Sequence, residues 1–164
     1  MQMSAPIRPS RPRERRIQAR VMRIVNVPMR MLLGLPFPTP LGGRLMLVYL
    51  TGRRTGKSYR QPVSYVRDGN TLLTPGGGVW KLNLSEERLE WIRLRGRMKL
   101  ARPEIVADTD ELERDLDVMT AANRMVGTFV GIPRGPGGRL DRPRLETAAR
   151  YGFRVVRWHL EEPS

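Results

Sequence analysis

The chain has 164 residues, room for one domain of ordinary size. Lys and Arg number 30 against 16 Asp and Glu, a formal charge of +14, while 40% hydrophobic residues suffice for a packed core and exceed what a wholly disordered chain carries. There is no cysteine and a single histidine, His159, which excludes disulfides, thiolate metal sites, Fe–S clusters and Cys nucleophiles, and argues against the usual zinc sites and a Ser-His-Asp triad.

Residues 1–30 hold eight Arg and one acid, Glu14, so half of the net charge sits at the start of the chain. A basic balance favours anionic partners: phosphates, carboxylates, nucleic acid or anionic lipid. The first residues are polar, Pro-rich and expected to be disordered, and they lack the apolar stretch and cleavage site of a secretory signal. The pattern turns helical near residue 13, with Ile17, Val21, Ile24 and Val25 on one face and Arg16, Arg20 and Arg23 beside it. Pro28 ends or kinks this helix, and residues 36–43 (PFPTPLGG) read as a loop. No apolar run approaches the roughly 18–20 residues of a membrane-spanning helix.

Strand patterns follow. Residues 44–51 (RLMLVYLT) read as a buried strand, 52–58 (GRRTGKS) as a turn and 59–67 as an alternating strand. Asp68, Gly69 and Asn70 signal a tight turn into a short strand at 71–74, which Pro75, Gly76, Gly77 and Gly78 should break. A short helix is expected within 79–88, then strands at 90–95 and 98–107 joined at Gly96 and Arg97. Residues 108–126 form the clearest helix, with Leu112, Leu116 and Met119 on one face and Asp108 and Glu111 at capping-box spacing. A Gly/Pro-rich loop at 127–142, a short helix at 143–150 and a strand at 153–161 complete the chain. Strands connected as hairpins predict an α+β, mainly antiparallel fold, a sheet or small barrel flanked by helices.

The segment Gly52-Arg53-Arg54-Thr55-Gly56-Lys57-Ser58 invites a P-loop reading, which needs four residues between its glycines and a helix after them. Only three residues intervene here, and a strand containing Pro62 follows, so both conditions fail. The plain reading is a hairpin turn kept soluble by its charges. The functional reading is an anion-binding turn, with backbone amides forming a nest and Arg53, Arg54, Lys57 and Arg60 adding charge. The later glycines, Gly76 to Gly78, would let backbone approach a flat ligand, with Trp80 either walling its ring or packed in the core.

In order and spacing, these pieces resemble the deazaflavin (coenzyme F420)-dependent nitroreductase family, which is related to the flavin-binding split-barrel proteins. The pieces are Thr51 to Lys57; Arg60, Pro62, Val63 and Tyr65; Arg67 to Gly69; and Gly76 to Trp80 with Asn83 and Leu84. The resemblance is strong over residues 44–107. It implies a split β-barrel of antiparallel strands flanked by helices, and hydride transfer from reduced F420 to an electron-poor small molecule such as an activated alkene, quinone or nitro compound. It also implies that Gly52, Arg53, Arg54, Thr55, Gly56, Lys57 and Arg60 hold the anionic tail. Pro62, Ser64, Gly76, Gly77, Gly78, Trp80 and Asn83 would then lie near the ring. One departure concerns the pocket wall: most members have a longer segment with a Pro before the Trp, whereas Val79 alone separates Gly78 from Trp80. The implied organisation is a disordered basic tail at 1–14, an amphipathic helix at 15–35 and a cofactor-binding domain at 36–164, in the cytoplasm.

Alternatives remain at this stage. An FMN-binding relative or a non-catalytic ligand carrier would use the same groove. A nucleic-acid binder would exploit the charge, but no helix-turn-helix, zinc knuckle or aromatic strand motif is present. The N-terminal helix would pack on the barrel or lie on an anionic membrane. A homodimer is compatible with the barrel type. His159 is expected to be a sheet residue, and no acid is singled out for catalysis.

Overall fold

A computed structural model describes residues 43–76 and 78–162. The expected tail at 1–14 and helix at 15–35 lie outside the described residues. Seven antiparallel strands form one sheet: β1 (Leu45–Thr51), β2 (Ser58–Ser64), β3 (Val66–Asp68), β4 (Thr71–Gly76), β5 (Glu90–Leu94), β6 (Arg97–Val106) and β7 (Arg154–Leu160). Their order is β2-β1-β5-β6-β7-β4-β3. β2 and β3 therefore occupy opposite edges, although Tyr65 alone separates them in sequence. A flat sheet would hold those edges about 29 Å apart, at about 4.8 Å per strand spacing, and one residue spans only about 3.5 Å. The sheet must therefore curl until its edges meet, which makes it the split barrel.

Alternation fills the two faces differently. Met46, Val48, Leu50, Val63, Tyr65, Leu72, Ile92, Val156 and Trp158 point into the curl and form one core. Val66, Leu73, Val106 and Val155 point outward and form a second core with Leu112, Leu116 and Met119 of α1 (Thr109–Ala122) and Leu145 of α3 (Arg142–Arg150). Successive residues Val155 and Val156 thus serve opposite cores. Asp108 caps α1 by accepting the Glu111 amide at 3.0 Å, as its spacing predicts.

Each strand proline has a paired strand on one side only, the setting in which a missing N–H is tolerated. Pro62 is on the edge strand β2, Pro75 lies beyond the end of the β3 pairing, and Pro103 lies beyond the end of the β5 pairing. Three differences from the sequence reading have physical causes. The single strand expected over 59–67 divides at Tyr65, because its first part pairs with β1 and its last part with β4. β4 continues through Pro75 and Gly76 because β7 supplies partners at Val155 and Arg154. The helix expected to run to Val126 stops at Ala122, and a second one, α2 (Arg124–Val130), replaces the start of the expected loop. Burial of Val126 outweighs the poor helix propensity of Gly127, about 1 kcal/mol.

Arg157 ties α1 to the sheet. Its guanidinium grips both oxygens of Asp115 at 2.8 and 3.1 Å and reaches Glu104 at 2.9 Å. The other Glu104 oxygen lies 2.7 Å from His159 Nε2, so His159 is indeed part of β7 and of this cluster. Burial opposes ionisation of Glu104, but the hydrogen bond with His159 and the charge of Arg157 outweigh it and hold the carboxyl below the usual range. A depressed carboxyl stabilises the fold above its unfolded value, about 4.3, and that contribution is lost as pH falls through the lower folded value. Glu104→Gln should therefore be less stable than wild type in urea titrations at neutral pH, with the gap closing on acidification; a constant gap would contradict this. Leu116→Ala should cost about 2–5 kcal/mol in the same assay, because Leu116 is fully enclosed in the helix-side core.

Candidate functional site

The bend between β1 and β2 is closed by its own backbone. The Gly52 amide donates to Lys57 O at 2.9 Å, and the Gly56 amide to Gly52 O at 2.7 Å. Gly56 has φ +66°, the left-handed region that favours glycine. The Lys57 amide reaches Thr55 Oγ1 at 3.3 Å, and the Arg53 amide donates to Asn83 Oδ1 at 3.0 Å. Four amides of the expected nest are thus used within the chain. The side chains of Arg53, Arg54, Lys57 and Arg60 are exposed, and none of them forms an ion pair among the described residues.

The second bend leaves β4 and enters a 3-10 helix at Val79–Asn83. Trp80 is buried and stacked on Trp158, with ring centroids 6.4 Å apart and planes inclined by 9°. The Trp158 indole N–H donates to the buried Thr74 hydroxyl at 3.1 Å, which fixes the pair beneath the end of β4. Gly78 passes so close to the indole that a Cβ there would lie 2.8 Å from Trp80 Cδ1. The glycine is therefore demanded by packing inside the chain. Lys81 folds back over the bend, and its ammonium donates to Gly76 O at 2.7 Å and Gly78 O at 2.9 Å. Burial, followed by the nearby charge of Arg154, lowers its pKa.

Asn83 joins the two bends. Its Oδ1 accepts the Arg53 amide, and its Nδ2 donates to the Tyr59 hydroxyl at 2.6 Å. The arginine bend, the first residues of β2 and the end of the 3-10 helix thus meet at one side-chain amide, 30 residues along the chain from Arg53 and 24 from Tyr59.

No family model matches the chain, and no curated protein matches it. Solved structures do resemble it. A candidate 5-nitroimidazole antibiotic resistance protein from Bacteroides thetaiotaomicron is 16% identical, with TM-score 0.50 over 74% of this chain and 75% of that one. A domain-swapped dimer is 12% identical, with TM-score 0.49 over 90% of this chain and 98% of its own. An F420-H2 dependent reductase, FDR-A, is 13% identical, with TM-score 0.47 over 72% and 94%. At these identities the first likeness speaks for the fold alone, and the other two add no argument.

The residues singled out in the sequence are placed unequally. Gly52 to Lys57 and Asn83 come together. Arg60, Pro62 and Ser64 alternate with the inward Tyr59 and Val63, so they share the outer face of β2, opposite Tyr49, Leu47 and Leu45. Gly76 and Gly78 belong to the second bend, and Gly77 lies outside the described residues. Trp80 is a core residue, with its ring face given to Trp158. Sequence reasoning missed Tyr59, Lys81 and Arg154; periodicity hides Tyr59 among core residues, and nothing in the spacing ties Lys81 to Gly76.

Asn83→Ala should cost about 1–3 kcal/mol in urea unfolding, the sum of two hydrogen bonds. An unchanged midpoint and slope would contradict the bridging role. Gly78→Ala should displace the indole and alter the near-ultraviolet circular dichroism of the stacked tryptophans; an unaltered spectrum would show that the close approach is not real.

Proposed function

We propose that the chain is an F420-dependent oxidoreductase that reduces an electron-poor small molecule. The observation that carries this reading is the Asn83 bridge, which ties the arginine bend, with Arg53, Arg54 and Lys57 exposed on it, to the end of the 3-10 helix that follows the glycine bend. The ordered sequence resemblance and the split barrel support it. Arg53, Arg54, Lys57 and Arg60 fit an anionic tail, because no carboxylate among the described residues competes for them. At the second bend the space beside Gly76 and Gly78 is taken by Arg154, Lys81 and Trp80 of the chain itself, so these glycines serve internal packing. When bound, a reduced deazaflavin supplies the hydride, so the chain needs no nucleophile or metal of its own. Arg53, Arg54, Lys57 and Arg60 would hold the tail and so orient the ligand. Asn83 and Trp80 act here as positioning residues: one fixes the distance between the bends, the other the floor under Gly78.

The test is a fluorescence titration of F420, with FMN in a parallel arm. Wild type should bind F420 at micromolar affinity or better and prefer it to FMN. Arg54→Ala/Arg60→Ala should weaken binding by about tenfold or more, as the loss of charge-assisted hydrogen bonds implies. The difference should be largest at low salt, where screening is weakest. Undiminished binding by the double variant, or a preference for FMN, would overturn the assignment.

A further inference from the structure

Lys81 and Arg154 stand together at the end of the barrel, since Gly76, whose carbonyl Lys81 binds, is the register partner of Arg154. Both cations are solvated by carbonyls alone. Lys81 uses Gly76 O and Gly78 O, and Arg154 directs Nη1 to Ala149 O and Phe153 O, both at 2.7 Å. Among the described residues neither forms an ion pair. Two neighbouring positive charges without a carboxylate repel each other, and partial burial adds to that cost. Donors are also left over. An ammonium has three and two are used; a guanidinium has five, and the Nε–Nη2 edge, the side that pairs oxyanions bidentately, has no described partner.

The geometry points to a second anion seat, in which Lys81 and Arg154 receive an anionic oxygen at the glycine bend, remote in sequence from the arginine bend. An oxyanion would relieve the repulsion and take up the spare donors. The seat deepens the proposed function and rests on it only for the identity of the ligand. A ligand that is negative at its tail and electron-rich at its ring end would meet cations at both bends, whereas a small free oxyanion would need only the second.

The chain has three lysines, Lys57, Lys81 and Lys99, so lysine-labelled full-length protein gives three side-chain CεHε signals in a carbon–proton NMR spectrum. Lys81→Met identifies the Lys81 signal. The probes are oxidised F420 and inorganic phosphate, each against chloride at matched ionic strength. Lys57 reports the arginine bend and Lys81 the proposed seat. F420 should shift both signals, phosphate should shift Lys81, and Lys99 should stay in place. F420 shifting Lys57 but not Lys81, with phosphate also leaving Lys81 unmoved, would overturn the seat and leave the proposed function standing. Phosphate shifting Lys81 while F420 moves neither would support the seat and defeat the deazaflavin reading. No shift of Lys81 with either probe would overturn the seat, whatever Lys57 does. Lys81→Arg should keep F420 affinity within about threefold of wild type, while Lys81→Met should lose about tenfold, the worth of one charge-assisted contact. Equal loss in both variants would point to bracing of the bend alone.

Discussion

The side-chain amide of Asn83 accepts one hydrogen bond from the backbone of the arginine bend and gives another to Tyr59. These two bonds tie the arginine bend and the start of β2 to the end of the 3-10 helix that follows the glycine bend. A hairpin turn on a surface is ordinarily free to sway, and its side chains pay entropy when they close on a ligand. A brace at Arg53 holds the backbone in one geometry and would lower that cost for a ligand bound there. The brace is itself anchored, because Asn83 ends a 3-10 helix whose Trp80 is pressed against Trp158 in the barrel core. Placement of charge on the outside is thus linked to packing on the inside through five residues of helix.

The same dependence shapes the barrel. A single residue, Tyr65, lies between strands on opposite edges of the sheet, so the chain cannot form the sheet without closing it. Closure brings the end of β4 and the start of β2 within reach of one short helix. The three described helices cover the β3-β4-β7 side, and Arg157 fixes α1 there through Asp115. One side of the barrel is thus held by helices while the two bends sit at its end, joined by side chains rather than by strands.

Much of this was legible in the sequence. Apolar and alternating runs marked most of the strands, the Asp108 capping signal marked the start of α1, and the hairpin signals around Gly69 and Gly96 marked turns that the structure contains. What could not be read follows from tertiary competition. Local signals ended β4 at Pro75, but the ladder offered by β7 carried it two residues further. The helix break at Asn123 and the continuation through Gly127 depend on what Val126 buries against. At the site, residue types showed only a charged bend followed by a glycine bend. They could not show that the bend amides would be spent internally, that Trp80 would be core, or that Lys81 would fold back onto two carbonyls. Those outcomes are set by contacts between segments far apart in the chain.

The central claim is that the Asn83 carboxamide holds the arginine bend in place, and hydrogen exchange at the Arg53 amide measures this directly. Arg53 lies in an exposed bend, so its amide should exchange at the unprotected rate unless the bond to Asn83 Oδ1 persists in solution. The account requires clear protection in wild type and its loss in Asn83→Ala under conditions where the β1 and β6 amides remain protected. An Arg53 amide that exchanges freely in wild type, or equally in both proteins, would contradict it.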